Sequence, residues 1–294
     1  MINKGNFIMK KIFCVLLSTL FATGCLCGCG NNSAVSENNK KNTSSVLNTE
    51  NNSAENKDSI YQVALLQSLV QGNYDGVVTV KELKKHGDFG IGTFEGVNGE
   101  MIFLDGVMYQ AVSDGSIKLA SDDTTVPFAD VTYFESDIKS ELSDIKSFND
   151  MTDMLDKLVE KNGKNNFYAV KLTGTFSKIQ VRSEYPQKKP YKPLAKVMET
   201  DQTIFDFENV KGTAVGLYCP DYMSGLNTSG WHLHFITEDK KNGGHILKLS
   251  ADKLTAEMDL TGEFKFVVPN EKSFQDMSLA DNVNKDIEKV EKND

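Results

Sequence analysis

The chain has 294 residues, 39% hydrophobic and 25% charged, a composition that supports a buried core and excludes a wholly disordered polypeptide. Its formal net charge of -9 leaves no basic face for phosphate, so nucleic acid is excluded as a partner. Four of the five cysteines, Cys14, Cys25, Cys27 and Cys29, precede residue 30, so Cys219 has no partner for an internal disulfide and is expected to be inert core.

Along the chain, Met9, Lys10 and Lys11 form a positive start to an apolar run from Ile12 to Ala22, which is signal-peptide length and too short to span a bilayer. Leu26-Cys27-Gly28-Cys29 fits a lipoprotein processing site better than Ala22-Thr23-Gly24-Cys25 does, which favours lipidation at Cys29 over Cys25. Residues 1–29 are therefore expected to direct export with a lipid anchor at the outer face of the cell membrane. Ordinary secretion is the alternative. Residues 30–58 are rich in Asn, Ser, Glu, Lys and Thr and offer almost nothing to bury, which predicts a flexible tether.

Order is expected from Ile60, with Val63, Leu66, Leu69 and Val70 at helical spacing and Gly72 ending the run. Thr79-Val80-Lys81-Glu82 reads as a capping box opening a second short helix that Gly87 stops. Met101–Leu104 and Val107–Ala111 flank Asp105-Gly106, a pair suited to a two-residue hairpin turn, and Ser113-Asp114-Gly115 marks the next turn. Met151, Met154, Leu155, Leu158 and Val159 form one helical stripe, capped near Ser147 and terminated at Asn162-Gly163. Phe167–Leu172, Ser177–Ser183, Thr213–Tyr218, Trp231–Ile236 and His245–Leu249 then read as strands, while Pro186–Pro193 reads as a surface loop. The fold class is α/β (α+β), two strand-rich mixed-sheet halves with peripheral helices. An N-terminal α/β domain is expected over 59–165 and a C-terminal β-rich metal-binding domain over 166–294, with the metal site near their interface.

Three of the four histidines cluster as His232, His234 and, beyond Asn242-Gly243-Gly244, His245; His86 stands apart as an ordinary polar residue. On a strand, His232 and His234 share a face, and a returning strand brings His245 beside them. Three neutral imidazoles leave at least one coordination position open, the mark of a catalytic rather than a closed structural zinc site. Imidazole also suits iron and copper, so spacing alone leaves the metal open. Arg182 is the only arginine in the chain, and its planar fork grips a carboxylate in a way no lysine can reproduce. No carboxylate stands out by spacing alone; Glu100 lies at the mouth of a hairpin strand, and Glu288 and Glu291 lie in a polar tail that can fold back.

Gly87-Asp88-Phe89-Gly90-Ile91-Gly92-Thr93-Phe94, Asn98-Gly99-Glu100, Leu104-Asp105-Gly106, Val126-Pro127-Phe128 and Gly230-Trp231-His232-Leu233-His234-Phe235 together resemble the acetolactate decarboxylase family, from about Ile60 to the C-terminus. The resemblance implies a Zn2+ ion held by His232, His234 and His245, an active-site arginine at Arg182, a glutamate at Glu100, a threonine at Thr93, and a second glutamate at Glu291, with Glu288 competing for that place. It also implies decarboxylation of 2-acetolactate to acetoin, with the metal as Lewis acid for an enediolate, Arg182 on the carboxylate and Glu100 or Glu291 as proton donor, in a homodimer. Trp231 stands where the family has another aromatic. Spacing alone equally admits a three-histidine zinc hydratase or hydrolase, and a surface lipoprotein that binds metal or ligand without turnover.

Overall fold

The computed structural model describes residues 57–279 and 284–291, except for the side chains of Asn284, Glu288 and Glu291. The signal, lipid-anchor and most of the tether expectations fall on residues 1–56, outside that range. Ser53–Asp294 clusters as one compact unit.

From the N-terminal side the elements are β1 (Ser59–Val63), α1 (Leu66–Val70), β2 (Val78–Thr79), α2 (Val80–Leu83), β3 (Phe89–Thr93), β4 (Glu100–Leu104) and β5 (Val107–Ala111). Then follow β6 (Ile117–Leu119), β7 (Thr125–Val126), β8 (Phe128–Thr132), β9 (Ile138–Ile145), α3 (Phe148–Asn162), β10 (Phe167–Glu184), α4 (Leu194–Thr200) and β11 (Gln202–Cys219). A 3-10 turn at Asp221–Met223 leads to β12 (Gly230–Thr237), β13 (Gly243–Thr261), β14 (Glu263–Val267), α5 (Lys272–Gln275) and α6 (Asn284–Glu291).

The first sheet has the order β14-β1-β8-β3-β4-β5-β6; β1 and β14 run parallel and the other neighbours antiparallel. The second joins β10, β11, β12, β13 and β9, all antiparallel. Because β10 pairs with both β11 and β13 while β12 bridges those two, the four pairings close into a ring. β2 and β7 form a small separate ladder.

Alternation sorts the side chains of the first sheet. Phe89, Ile91, Ile102 and Leu104 face the second sheet and share a core with Ala169, Val215, Leu217 and Ile236. Met101, Phe103, Ala129 and Val131 face the other way, onto Val80 and Leu83 of α2. The predicted turn at Asp105-Gly106 is present with positive φ at both residues, 51° and 76°. Ser147 caps α3 by accepting from the Asp150 amide, and Met151, Leu155 and Val159 bury the predicted stripe against the second sheet.

Several expectations need correction. Ile60 and Val63 belong to β1, because Ala64 at φ 61° breaks the chain before α1 can extend backward. The Thr79 cap forms, with its hydroxyl accepting from the Glu82 amide, but α2 ends at Leu83 rather than at Gly87. Phe167–Leu172 and Ser177–Ser183 are one strand, β10, and His245–Leu249 is the beginning of the 19-residue β13. The divide expected near residue 165 is crossed twice: β9 pairs with β13 in the second sheet, and β14 pairs with β1 in the first. A core shared by both sheets holds the two halves together.

Candidate active site and metal centre

The register of the second sheet builds one side of the site. Arg182 on β10 pairs with His245 on β13, and His245 pairs with His234 on β12. Directly paired residues point to the same face, so one guanidinium and two imidazoles form a row across three strands, and His232 joins them two positions from His234. A Cβ on Gly244 would lie 2.4 Å from the Arg182 carbonyl, so only glycine lets β13 enter this close to β10 immediately before His245.

The first sheet supplies the opposite side. Thr93 on β3 pairs with Glu100 on β4, and both are buried. Glu100 Oε2 lies 3.4 Å from His234 Nε2, and the Thr93 hydroxyl donates to the Gly99 carbonyl at 2.8 Å.

Ring nitrogens of His232, His234 and His245 lie within 4.8 Å of one another, and all three residues are buried. His232 Nε2 stands 3.1 Å from both His234 Nε2 and His245 Nδ1. A tetrahedral zinc site with bonds of about 2.0–2.1 Å separates its ligand atoms by about 3.3 Å, so these rings are spaced to hold such an ion. His234 Nδ1 is 2.7 Å from the Met101 carbonyl; it donates there, which leaves the Nε2 lone pair facing the other two rings. Burial, then the Arg182 charge, lowers the pKa of His232 to about 3. Burial, then His232 and Arg182, holds His234 well below its ordinary value. Rings kept neutral in this way are the form that ligates a metal.

These residues surround a cavity of about 30 Å3, walled by Leu66 and Leu69 of α1, Leu194 and Met198 of α4, and Val290 of α6. A larger cavity of about 440 Å3 lies on the other face of β12, around Trp231 and Asp156, and has no histidine in its lining. The smaller one gathers the three imidazoles, the guanidinium and the carboxylates of Glu100 and Glu184, and is the candidate site. Trp231 takes the face opposite the histidines, as alternation requires, and its indole donates to Asp156 at 2.7 Å.

Every site residue named from the sequence whose side chain is described reaches this cavity: Thr93, Glu100, Arg182, His232, His234 and His245. Glu288 and Glu291 fall on α6, and their side chains are outside the described set. His86 stays apart, stacked on Tyr61 with centroids 3.8 Å apart. Cys219 is a buried free thiol whose pKa burial drives well up, which suits inert core.

Sequence reasoning missed three participants. Glu184 lines the cavity with its carboxylate 3.4 Å from Arg182 Nε; its spacing of two from Arg182 on one strand was the signal available. The other two are main-chain carbonyls, of Met101 at His234 and of Val290, which accepts from Arg182 Nη2 at 2.5 Å.

The family model for alpha-acetolactate decarboxylase matches residues 60–281. A relative from Methanosarcina mazei, an alpha-acetolactate decarboxylase, is 43% identical across 99% of this chain and 100% of its own. Another with that name, from Brevibacillus brevis, is 40% identical across 76% of this chain and 78% of its own. The crystal structure of alpha-acetolactate decarboxylase from Bacillus subtilis strain 168 superposes with a TM-score of 0.77 at 36% identity, covering 80% of this chain and 99% of that one. With fold and sequence in agreement, the chain belongs to the alpha-acetolactate decarboxylase family, whose members are carboxy-lyases.

Proposed function

We propose that the protein decarboxylates 2-acetolactate to acetoin and carbon dioxide with a zinc ion held by His232, His234 and His245. The observation that carries this reading is the convergence of three buried imidazoles and the chain's single arginine on one buried cavity. Bound there, zinc supplies a Lewis acid for substrate oxygens and for the negative charge left when carbon dioxide departs.

The protein's own groups do the rest. Arg182 presents its fork to the substrate carboxylate and fixes the bond to be broken, while the leucine walls exclude water and strengthen that electrostatic hold. Glu100, on the far side of the cavity from Arg182's strand and beside His234, delivers a proton to the carbon that lost carbon dioxide. Thr93, its hydroxyl hydrogen committed to Gly99, offers an acceptor to a substrate hydroxyl. Glu291 is retained as a second candidate donor on the strength of the family resemblance.

Purified protein should release acetoin from racemic 2-acetolactate, lose that activity on chelation and regain it with zinc. Carbon dioxide hydration without acetoin release, or zinc binding with no turnover, would refute the assignment.

The reading extends to export with a lipid at Cys29 and to a homodimer. The apolar run after Lys10 and Lys11 and the Leu26–Cys29 processing pattern support the first; family resemblance supports the second. Mass spectrometry of the membrane-fraction protein tests the anchor, and sedimentation tests the dimer.

A further inference from the structure

Glu184 is only 2% exposed, and its carboxylate pairs with Arg182 Nε. Burying an anion is costly, and a guanidinium whose sole task was to attract an anionic substrate would do so better without a carboxylate alongside. The reaction supplies a reason for the pair. As carbon dioxide leaves, the carboxylate's charge passes to the ketone oxygen, so a cation that grips the carboxylate too firmly stabilises substrate more than transition state.

We propose, resting on the decarboxylase reading above, that Glu184 is a positioning residue that tempers Arg182. Its carboxylate lies 3.4 Å from Arg182 Nε as an ion pair without a hydrogen bond at Nε, while the Val290 carbonyl accepts from Nη2. The remaining donors face the substrate with part of the cation's charge already balanced. Arg182 then orients the carboxylate without over-stabilising it.

Glu184→Gln keeps size and an acceptor oxygen but removes the charge. It should lower kcat and KM together, each by about tenfold, leaving kcat/KM nearly unchanged. An unreactive analogue, 2-hydroxy-2-methylpropanoate, should bind the zinc-loaded variant about tenfold more tightly by calorimetry, with zinc content unaltered. A merely structural glutamate would lower the melting temperature and leave analogue affinity equal or weaker, and that result overturns the proposal. Glu184→Met supplies the same comparison should the Gln variant fail to fold; loss of folding in both makes Glu184 a structural requirement and also overturns it. If the parent protein makes no acetoin but the variant still binds the analogue more tightly, the activity assignment fails while the tempering of Arg182 stands.

Discussion

Arg182 and His245 face each other across β10 and β13 because β13 carries one extra residue. Gln180 pairs with Lys248 but Val181 pairs with Ile246, so Leu247 is bulged out and the register shifts by one. Without the bulge, Arg182 would face Ile246 and His245 would point to the opposite side of the sheet. Deleting Leu247 removes the extra residue but leaves Ile246 opposite Val181 and His245 opposite Arg182, so the variant should fold and still bind zinc. Circular dichroism with metal analysis checks this, and a folded variant without zinc would show that the local bend of the bulge, and not the register alone, sets the site.

Arg182→Lys keeps a positive charge in the row but loses the planar fork. We expect zinc content to be unchanged and kcat/KM to fall by about 100-fold to 1000-fold, measured by acetoin release. Full activity in this variant would rule out bidentate recognition.

His234→Ala removes the ring whose lone pair is aimed by the Met101 carbonyl. Zinc should be lost on dialysis, and activity should fall to background and stay there when zinc is restored. Parent protein stripped by a chelator should instead recover fully.

Asp259 is buried away from the site and accepts from the Glu135 amide at 3.2 Å. Burial, then the charges of Asp137, Asp58 and Glu135, raises its pKa from 3.8 to about 7. The folded state thus holds a proton that the unfolded state has released. Its stabilising effect is complete below about pH 4 and is lost as pH rises toward 7. Asp259→Asn keeps the acceptor and removes the ionisation, so its melting temperature should gain on the parent's, by a few degrees, between pH 5 and pH 8. Parallel curves across that range would contradict the assignment.

The local pieces of the fold were legible wherever one strong signal decided them. The Asp105-Gly106 turn, the Ser147 cap and the stripe of α3 all rest on neighbours a few residues apart. The length of β10 and β13 was not legible, because Gly174 and Thr175 read as a break in isolation and are carried through by partners on both sides. The exchange of β9 and β14 between the two halves depends on pairings about 100 or more residues apart, which leave no local trace. At the site, rarity did the work: three of four histidines and the lone arginine stood out. Glu184 did not, being one acid among many, and a main-chain carbonyl such as that of Met101 carries no side-chain identity to read.

Helix α6 closes the cavity from the far end of the described chain, with Ile287 and Val290 packed among Leu66, Leu69, Leu194 and Val197. A polypeptide clipped just before Asn284 would keep both sheets and all three imidazoles, yet its pocket would lack a roof and its guanidinium would lose the carbonyl that steadies it. Limited proteolysis there would thus silence the enzyme while leaving a well-folded, metal-competent body.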